Sequence, residues 1–547
     1  MKNLPANKAI SHPLLLISIL MMGAIIRILL AQNRAFNFDE CGTMILICHS
    51  PKYLLTHFSS MWLTMNWFIL LEKVIAKVFG EGLLSMRFIS IVAGTGTILF
   101  TALIATRISP EYSEIIPATL VATNPYLIEF SAVARSYSAF VLFALLVWLM
   151  FLRWRELPSW SNSIGLAVCC LSVVLIHLNG TFVLMWLAVV IMLEVLRTLH
   201  KSDKRMLLWL GIKRLTIPLT FCIGIAALFY FQLRHELIPY YARWSIMGFT
   251  SIDYIPNAFT VYIGTKSMAW LFLILLFAGA FRTFRQDPYK LLWILLWMFI
   301  PVVAASALGY HFSPNAFARF FIFTVPGILI LGAIGIEGII SLFGKKATCW
   351  ALSLITVGIL FAWSLTIAQK FEESKLRPYH KVFAYIKGHW RNGDRIASPE
   401  YFTYLHIRPY LEHRERMVEV CDALPTYILE DTTAVRIFLF SINKEIPTFG
   451  VETTNFGQIR VSILPPEPRA KRLQRLLRGF EQAAEALPKN SLRAEYIWIY
   501  YPLACLAKFR GDEKMARFYE SISEECQNLY RLTGEKNKNH LIWKRFW

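Results

Sequence analysis

Charge is what this sequence has little of. Asp, Glu, Lys and Arg fill 17% of 547 positions, while hydrophobic residues fill 56%. A soluble chain carries nearer a quarter charged residues, so this scarcity excludes an ordinary soluble globule. Acidic residues are the scarcer sign, 36 against 56 basic, which leaves a formal net charge of +20. The excess does not point to nucleic acid. Its basic residues sit mainly in short segments between long apolar runs, as membrane topology requires. Metal-ligand spacing is lacking too. The nine cysteines form no Cys-x-x-Cys or Cys/His cluster. A disulfide among Cys421, Cys505 and Cys526 stays open beside ordinary thiols. No internal repeat stands out, which counts against a transporter built from paired halves.

What is there is a series of apolar runs of membrane-crossing length, roughly 20 residues. They lie near 13–31, 88–106, 115–130, 135–152, 163–177, 180–196, 215–232, 267–281, 290–309, 319–343 and 348–369. Lys2 and Lys8 precede the first run, as in a signal peptide, but no small-residue cleavage site follows, so it reads as a retained span. Segment 61–79 carries Glu72, Lys73 and Lys77 and reads as an amphipathic helix in the interface or against the bundle. The expected fold is an all-α polytopic membrane bundle of about eleven helices over 1–370, with a first outer loop at 32–87. A soluble domain follows over 371–547, mixed α/β to 465 and helical from 466.

With the N-terminus in the cytoplasm, the even gaps carry Arg107, Arg153 and Arg155, the cluster Arg197–Arg214, Arg282, Arg285 and Lys290, and Lys345-Lys346. That agrees with the positive-inside rule and puts 371–547 outside.

The outer gaps hold the residues that carry chemistry. Asp39-Glu40 follows span one, and adjacent acids beside a bilayer are costly to desolvate. A carboxylate there can act as a general base on an acceptor hydroxyl; a solvated acid pair, or acids favoured by a helix N-terminus, is the competing reading. Arg135 and Tyr137 open span four, His177 lies between spans five and six, and Arg319 begins span ten. Arg243 belongs to the basic, aromatic loop 234–244. Each suits a lipid phosphate, and each also suits interface anchoring. Together they place cations for a phosphate leaving group, and a base for an incoming hydroxyl, on one side.

In order and spacing these residues resemble the GT-C superfamily of membrane glycosyltransferases, in the branch of protein O-mannosyltransferases and aminoarabinose transferases. The resemblance covers about the first three hundred positions. It rests on Arg27 in span one, Asp39-Glu40, Thr64–Ile69, Val78-Phe79-Gly80 with Arg87, Asn124-Pro125-Tyr126, Ala132–Tyr137, His177 and Arg319-Phe320. The family's His-Pro-Pro segment is missing, and its Gln-Glu before the arginine is Ala132-Val133 here.

The resemblance implies an inverting transferase acting on the outer face of a membrane, such as the bacterial inner or plasma membrane. A polyprenyl-monophosphate sugar would be the donor, and a lipid, glycan or protein hydroxyl the acceptor. It implies Asp39 as base with Glu40 beside it, and Arg135, Tyr137, His177, Arg319 and Arg243 on the donor phosphate. No metal or cofactor is expected, although some relatives use a divalent ion. A polytopic transporter or flippase for lipid-linked glycans is the alternative.

Overall fold

The computed structural model describes residues 11–34, 36, 38–47, 50–56, 66–109, 114–199, 209, 211–220, 222–224, 227, 254–307, 318–340, 345–375, 379–391, 394–397, 436–441, 449, 451–456, 459–487 and 497–537. The chain divides into two compact units, one of residues 1–34 and 45–371, the other of residues 35–44 and 372–547.

The first unit is helical. Its elements are α1 (Pro13–Asn33), α2 (Phe38–Ile47, shared with the second unit), α3 (Pro51–Thr56), α4 (Asn66–Phe79), α5 (Leu83–Ile108), α6 (Ile115–Thr123), α7 (Pro125–Ser131), α8 (Tyr137–Glu156), α9 (Trp160–Ile176) and α10 (Gly180–Leu199). After these come α11 (Tyr254–Ile263), α12 (Lys266–Gln286), α13 (Pro288–Ala307), a 3-10 turn at Ile322–Thr324, α14 (Val325–Ile340) and α15 (Lys345–Lys375). Among the described residues, six helices are long and apolar enough to cross a membrane: α1, α5, α8, α10, α12 and the helix at Ile322–Ile339. Helix α9 and part of α13 are shorter apolar helices. The chain is an integral membrane protein, and six of the eleven expected spans reach spanning length and composition. Span 215–232 lies partly outside the described residues.

The polarity of the bundle is that of a membrane protein. Trp270, Ile274, Phe277, Phe281 and Phe284 form one exposed apolar stripe along α12, while Arg27, Ser90, Thr97, Thr101 and Ser138 are buried. In hydrocarbon, polar groups must find partners inside the protein. Helix α4 packs against α5 and α9. It turns Trp67, Leu71, Val74, Val78 and Phe79 outward and buries Glu72, the amphipathic distribution expected of it.

One expected span is not continuous. Residues 115–130 form two helices of 9 and 7 residues, too short to cross, broken at Asn124-Pro125. Pro125 has no N–H for the carbonyl of Val121, and Asn124 is extended (ψ 119°), which interrupts the ladder at the next position. Asn124 caps α7 by accepting from the Leu127 N–H at 3.0 Å. The freed carbonyls are met by Arg27 of α1. Its guanidinium donates to Val121 O and Ala122 O at 3.2 Å each, to Gly23 O at 2.9 Å and to Ser131 Oγ at 3.2 Å. Room for this comes from Gly94 of α5, where a Cβ would meet Ser131 Oγ at 2.0 Å and Arg27 Nε at 3.1 Å. Arg87 of α5 acts similarly at the end of α1, donating to the carbonyls of Ala31 and Arg34.

The two ends of the bundle differ. Helix α8, at 20 residues, separates them by about 30 Å. At its C-terminal end Arg155 and Arg197 pair with Glu194, and Arg107 pairs with Glu156. At its N-terminal end lie Arg135 and Tyr137.

The second unit holds a four-stranded sheet and helices. Strands β1 (Arg395–Ala397), β2 (Ile437–Ser441), β3 (Thr453–Phe456) and β4 (Ile459–Leu464) lie in the order β1-β2-β4-β3. The β1–β2 pair is parallel; the others are antiparallel. Helix α16 (Tyr379–His389) packs on β4, and α17 (Arg469–Glu485), α18 (Ile497–Arg510) and α19 (Glu513–Asn537) complete the unit. Leu439, Leu464, Phe480, Leu503 and Leu506 share its core. Strand β3 was not read from the sequence.

Arg27→Ala removes the donors that close the α6–α7 break. Each orphaned buried carbonyl costs about 1–3 kcal/mol. The expected result is a large drop in the thermal midpoint of the detergent-solubilised protein, with Arg27→Lys in between. An Arg27→Ala variant with the parent midpoint would contradict this role.

Candidate active site

Helix α7 ends at Ser131, and residues 132–136 turn tightly into α8 with every residue buried. The turn is held by Arg135 N–H donating to Val133 O at 2.8 Å and by Ser90 Oγ donating to Arg135 O at 3.0 Å. Arg135 is buried, its guanidinium 5.8 Å from the centre of the Tyr137 ring. Tyr137 meets Phe130 edge-on at 5.0 Å and His177 at 5.7 Å. Arg135, Tyr137 and His177 therefore form one buried cluster.

His177 ends α9. A tight turn to α10 requires Gly180, because a Cβ there would meet the Val173 carbonyl oxygen at 2.4 Å. The imidazole stacks on Phe140 at 4.8 Å and 15°. Its Nδ1 accepts from the Asn179 N–H at 3.2 Å, so the ring is neutral and its proton is on Nε2. That Nε2 is buried and finds no hydrogen-bond partner among the described residues.

Arg319 is drawn to the same region. Asn179 Nδ2 donates to Phe320 O at 3.4 Å, and the His177 and Phe320 rings lie 6.2 Å apart. Arg319 also lies near enough for its charge to act on the Tyr126 hydroxyl. Tyr126 packs on Tyr262 at 5.2 Å, Tyr262 donates to Ala318 O at 3.0 Å, and Asn124 donates to Tyr262 O at 2.9 Å. A carboxylate joins this wall: Glu129 of α7 pairs with Arg34 at 3.3 Å and with Lys370 of α15.

Asp39 and Glu40 lie in the first turn of α2, where the helix dipole favours acids. Glu40 is buried; the Asp39 side chain lies outside the described residues, as does Arg243. The structure thus gathers Arg135, Tyr137, His177 and Arg319 within the first unit.

No family model and no curated protein matches the chain. Solved structures do. ArnT from Cupriavidus metallidurans in the apo state superposes with a TM-score of 0.56 at 10% identity, covering 82% of this chain and 97% of that one. The same protein bound to undecaprenyl phosphate gives 0.55 at 9%, with the same coverage. The chain shares its fold with ArnT. The Archaeoglobus fulgidus oligosaccharyltransferase in its apo form gives 0.50 at 14%, covering 80% of this chain and 70% of that one.

Sequence reasoning passed over Glu129 and Asn179, and used Asn124 and Tyr126 only as part of the resemblance, with no role at the site. Glu129 carried a signal, since a lone carboxylate inside an apparent span is a functional or structural marker by default. Asn124-Pro125 carried another, a cap-and-proline start inside an apolar run.

Arg135 supplies a charge that lysine replaces only in part. Arg135→Ala should weaken binding of a lipid monophosphate by on the order of 1.5–3 kcal/mol, with Arg135→Lys intermediate and both variants expressed. Equal affinity in all three, measured by titration with undecaprenyl phosphate, would reduce Arg135 to a membrane anchor.

Proposed function

We propose that this protein is a membrane-embedded glycosyltransferase that moves a sugar from a polyprenyl-monophosphate donor to an acceptor hydroxyl on the non-cytoplasmic face. The observation that carries the reading is the buried cluster of Arg135, Tyr137 and His177 at one end of α8, in a fold shared with a protein seen bound to undecaprenyl phosphate. A buried guanidinium beside a neutral, proton-bearing imidazole suits an anion that arrives from the bilayer. The basic loops at the far end of α8 favour that end as the cytoplasmic one.

In the proposed reaction the acceptor oxygen attacks the anomeric carbon from the face opposite the phosphate. The new C–O bond forms as the bond to phosphate breaks, which inverts the configuration. Asp39 takes the acceptor proton, and Glu40 orients the acceptor or its neighbour. The polyprenyl phosphate leaves with its charge held by Arg135, Arg319 and Arg243 and hydrogen-bonded by His177, with Tyr137 shaping the wall. Such preorganised cations act where charge develops. The proposal assigns no step to a metal ion, so transfer should survive EDTA. Lipid, glycan and protein hydroxyls remain the acceptor classes.

A flippase for lipid-linked glycans would need no base. Asp39→Asn separates the two readings. A general base contributes roughly a hundred- to ten-thousandfold in rate, so Asp39→Asn should nearly abolish transfer while leaving expression and donor binding intact. Glu40→Gln should be milder. An Asp39→Asn protein that transfers sugar at the parent rate would remove Asp39 from the mechanism.

A further inference from the structure

Tyr126 is 6% exposed, yet its hydroxyl is buried and finds no hydrogen-bond partner among the described residues. Burying such a group unmet is unfavourable, and a phenylalanine would fill the same space without it. The ring is well fixed. It packs on Phe130 at 4.8 Å and on Tyr262 at 5.2 Å, and it stands in the first turn of α7, which Asn124 caps.

The neighbouring polar groups are committed elsewhere. Tyr262 donates its own proton to the Ala318 carbonyl. Glu129, one turn further along α7, accepts from Arg34 and Lys370. Arg319 has only protons to offer, and it lies close enough for its charge to act on the Tyr126 oxygen. The phenol therefore presents an uncommitted O–H beside a cation. His177 repeats the pattern across the Tyr137 ring, with a buried Nε2–H that finds no partner among the described residues. Two buried donors and two arginines, with the Glu129 carboxylate already paired with Arg34 and Lys370, are the complement of an anion with several oxygens.

We propose that Tyr126 is a further donor-binding residue, whose O–H donates to an oxygen of the lipid-linked phosphate that Arg319 and His177 also meet. The assignment rests on the lipid-phosphate reading of this site and adds a residue to it. The hydroxyl binds the phosphate both before and after sugar transfer, so it acts on affinity and not on the bond-breaking step.

The test uses the purified full chain and its Tyr126→Phe variant, each unfolded thermally with undecaprenyl phosphate, with undecaprenol as a phosphate-free control, and with neither. Tyr126→Phe should leave the ligand-free midpoint unchanged or raised, because an unmet hydroxyl has been removed. It should shrink the shift produced by undecaprenyl phosphate and raise the dissociation constant roughly tenfold or more, the usual effect of losing a hydrogen bond to a charged group. With a sugar-bearing donor, KM should rise while kcat stays near the parent value. An undiminished shift in the variant would overturn the assignment of Tyr126 alone. A lowered ligand-free midpoint would do the same, by revealing a structural partner for the hydroxyl. A parent protein that responds equally to undecaprenol and to undecaprenyl phosphate would overturn the lipid-phosphate reading, and Tyr126 with it.

Discussion

A guanidinium buried among apolar helices holds this bundle's functional end in shape. Arg27 lies in the middle of a helix that crosses the membrane by length and composition, where an unmatched charge is expensive. It is matched by the carbonyls that the Asn124-Pro125 break sets free. The break and the arginine explain one another. Without the proline the carbonyls would be used within the helix; without the arginine they would be stranded in a water-poor interior. Closing the break lets α7 start afresh at Asn124. That start places Tyr126 in the cluster with Tyr262, and Glu129 between Arg34 and Lys370. The 132–136 turn then delivers Arg135 and Tyr137 to the head of α8.

Charge is distributed accordingly. Nearly every buried ionic group described in the first unit is committed to the frame: Arg27 and Arg87 to carbonyls, Glu129 to two cations, Glu194 to two arginines. Such arrangements avoid the large cost of a lone buried charge. Against that background, the buried His177 Nε2–H and Tyr126 O–H stand out as neutral donors that find no partner among the described residues. Ion pairs brace both ends of α8, Glu129 with Arg34 and Lys370 near its start and Glu194 with Arg155 and Arg197 near its end.

Much of this was legible in the sequence. Long apolar runs gave α1, α5, α8, α10 and α12 near their observed bounds, because hydropathy over about 20 residues responds to the solvent itself. The cluster residues Arg135, Tyr137, His177 and Arg319 were singled out as polar groups at span ends. The α6–α7 break was not read, because averaging hydropathy across 115–130 hides the short Asn124-Pro125 interruption in an otherwise apolar run. Tyr126 entered only as part of the Asn124-Pro125-Tyr126 resemblance, and only its packing shows that its hydroxyl meets no partner among the described residues. Partners such as Arg34, Glu129 and Lys370 are separated by 95 and 241 positions in the chain, beyond any local pattern. In the second unit, β2 and β4 were visible as apolar runs, whereas the short polar strand β3, Thr453–Phe456, carries almost no such signal.

The central claim is that sugar leaves a lipid phosphate at this site. The direct measurement is to reconstitute the purified full chain in vesicles with polyprenyl-phosphate donors carrying a radiolabelled sugar, and to follow label and lipid separately. The account predicts that label leaves the lipid, that one polyprenyl phosphate is released for each sugar moved, and that the new linkage has inverted configuration. Label that stays on its lipid while the lipid crosses between leaflets would contradict it, and would make the protein a carrier of lipid-linked glycans instead.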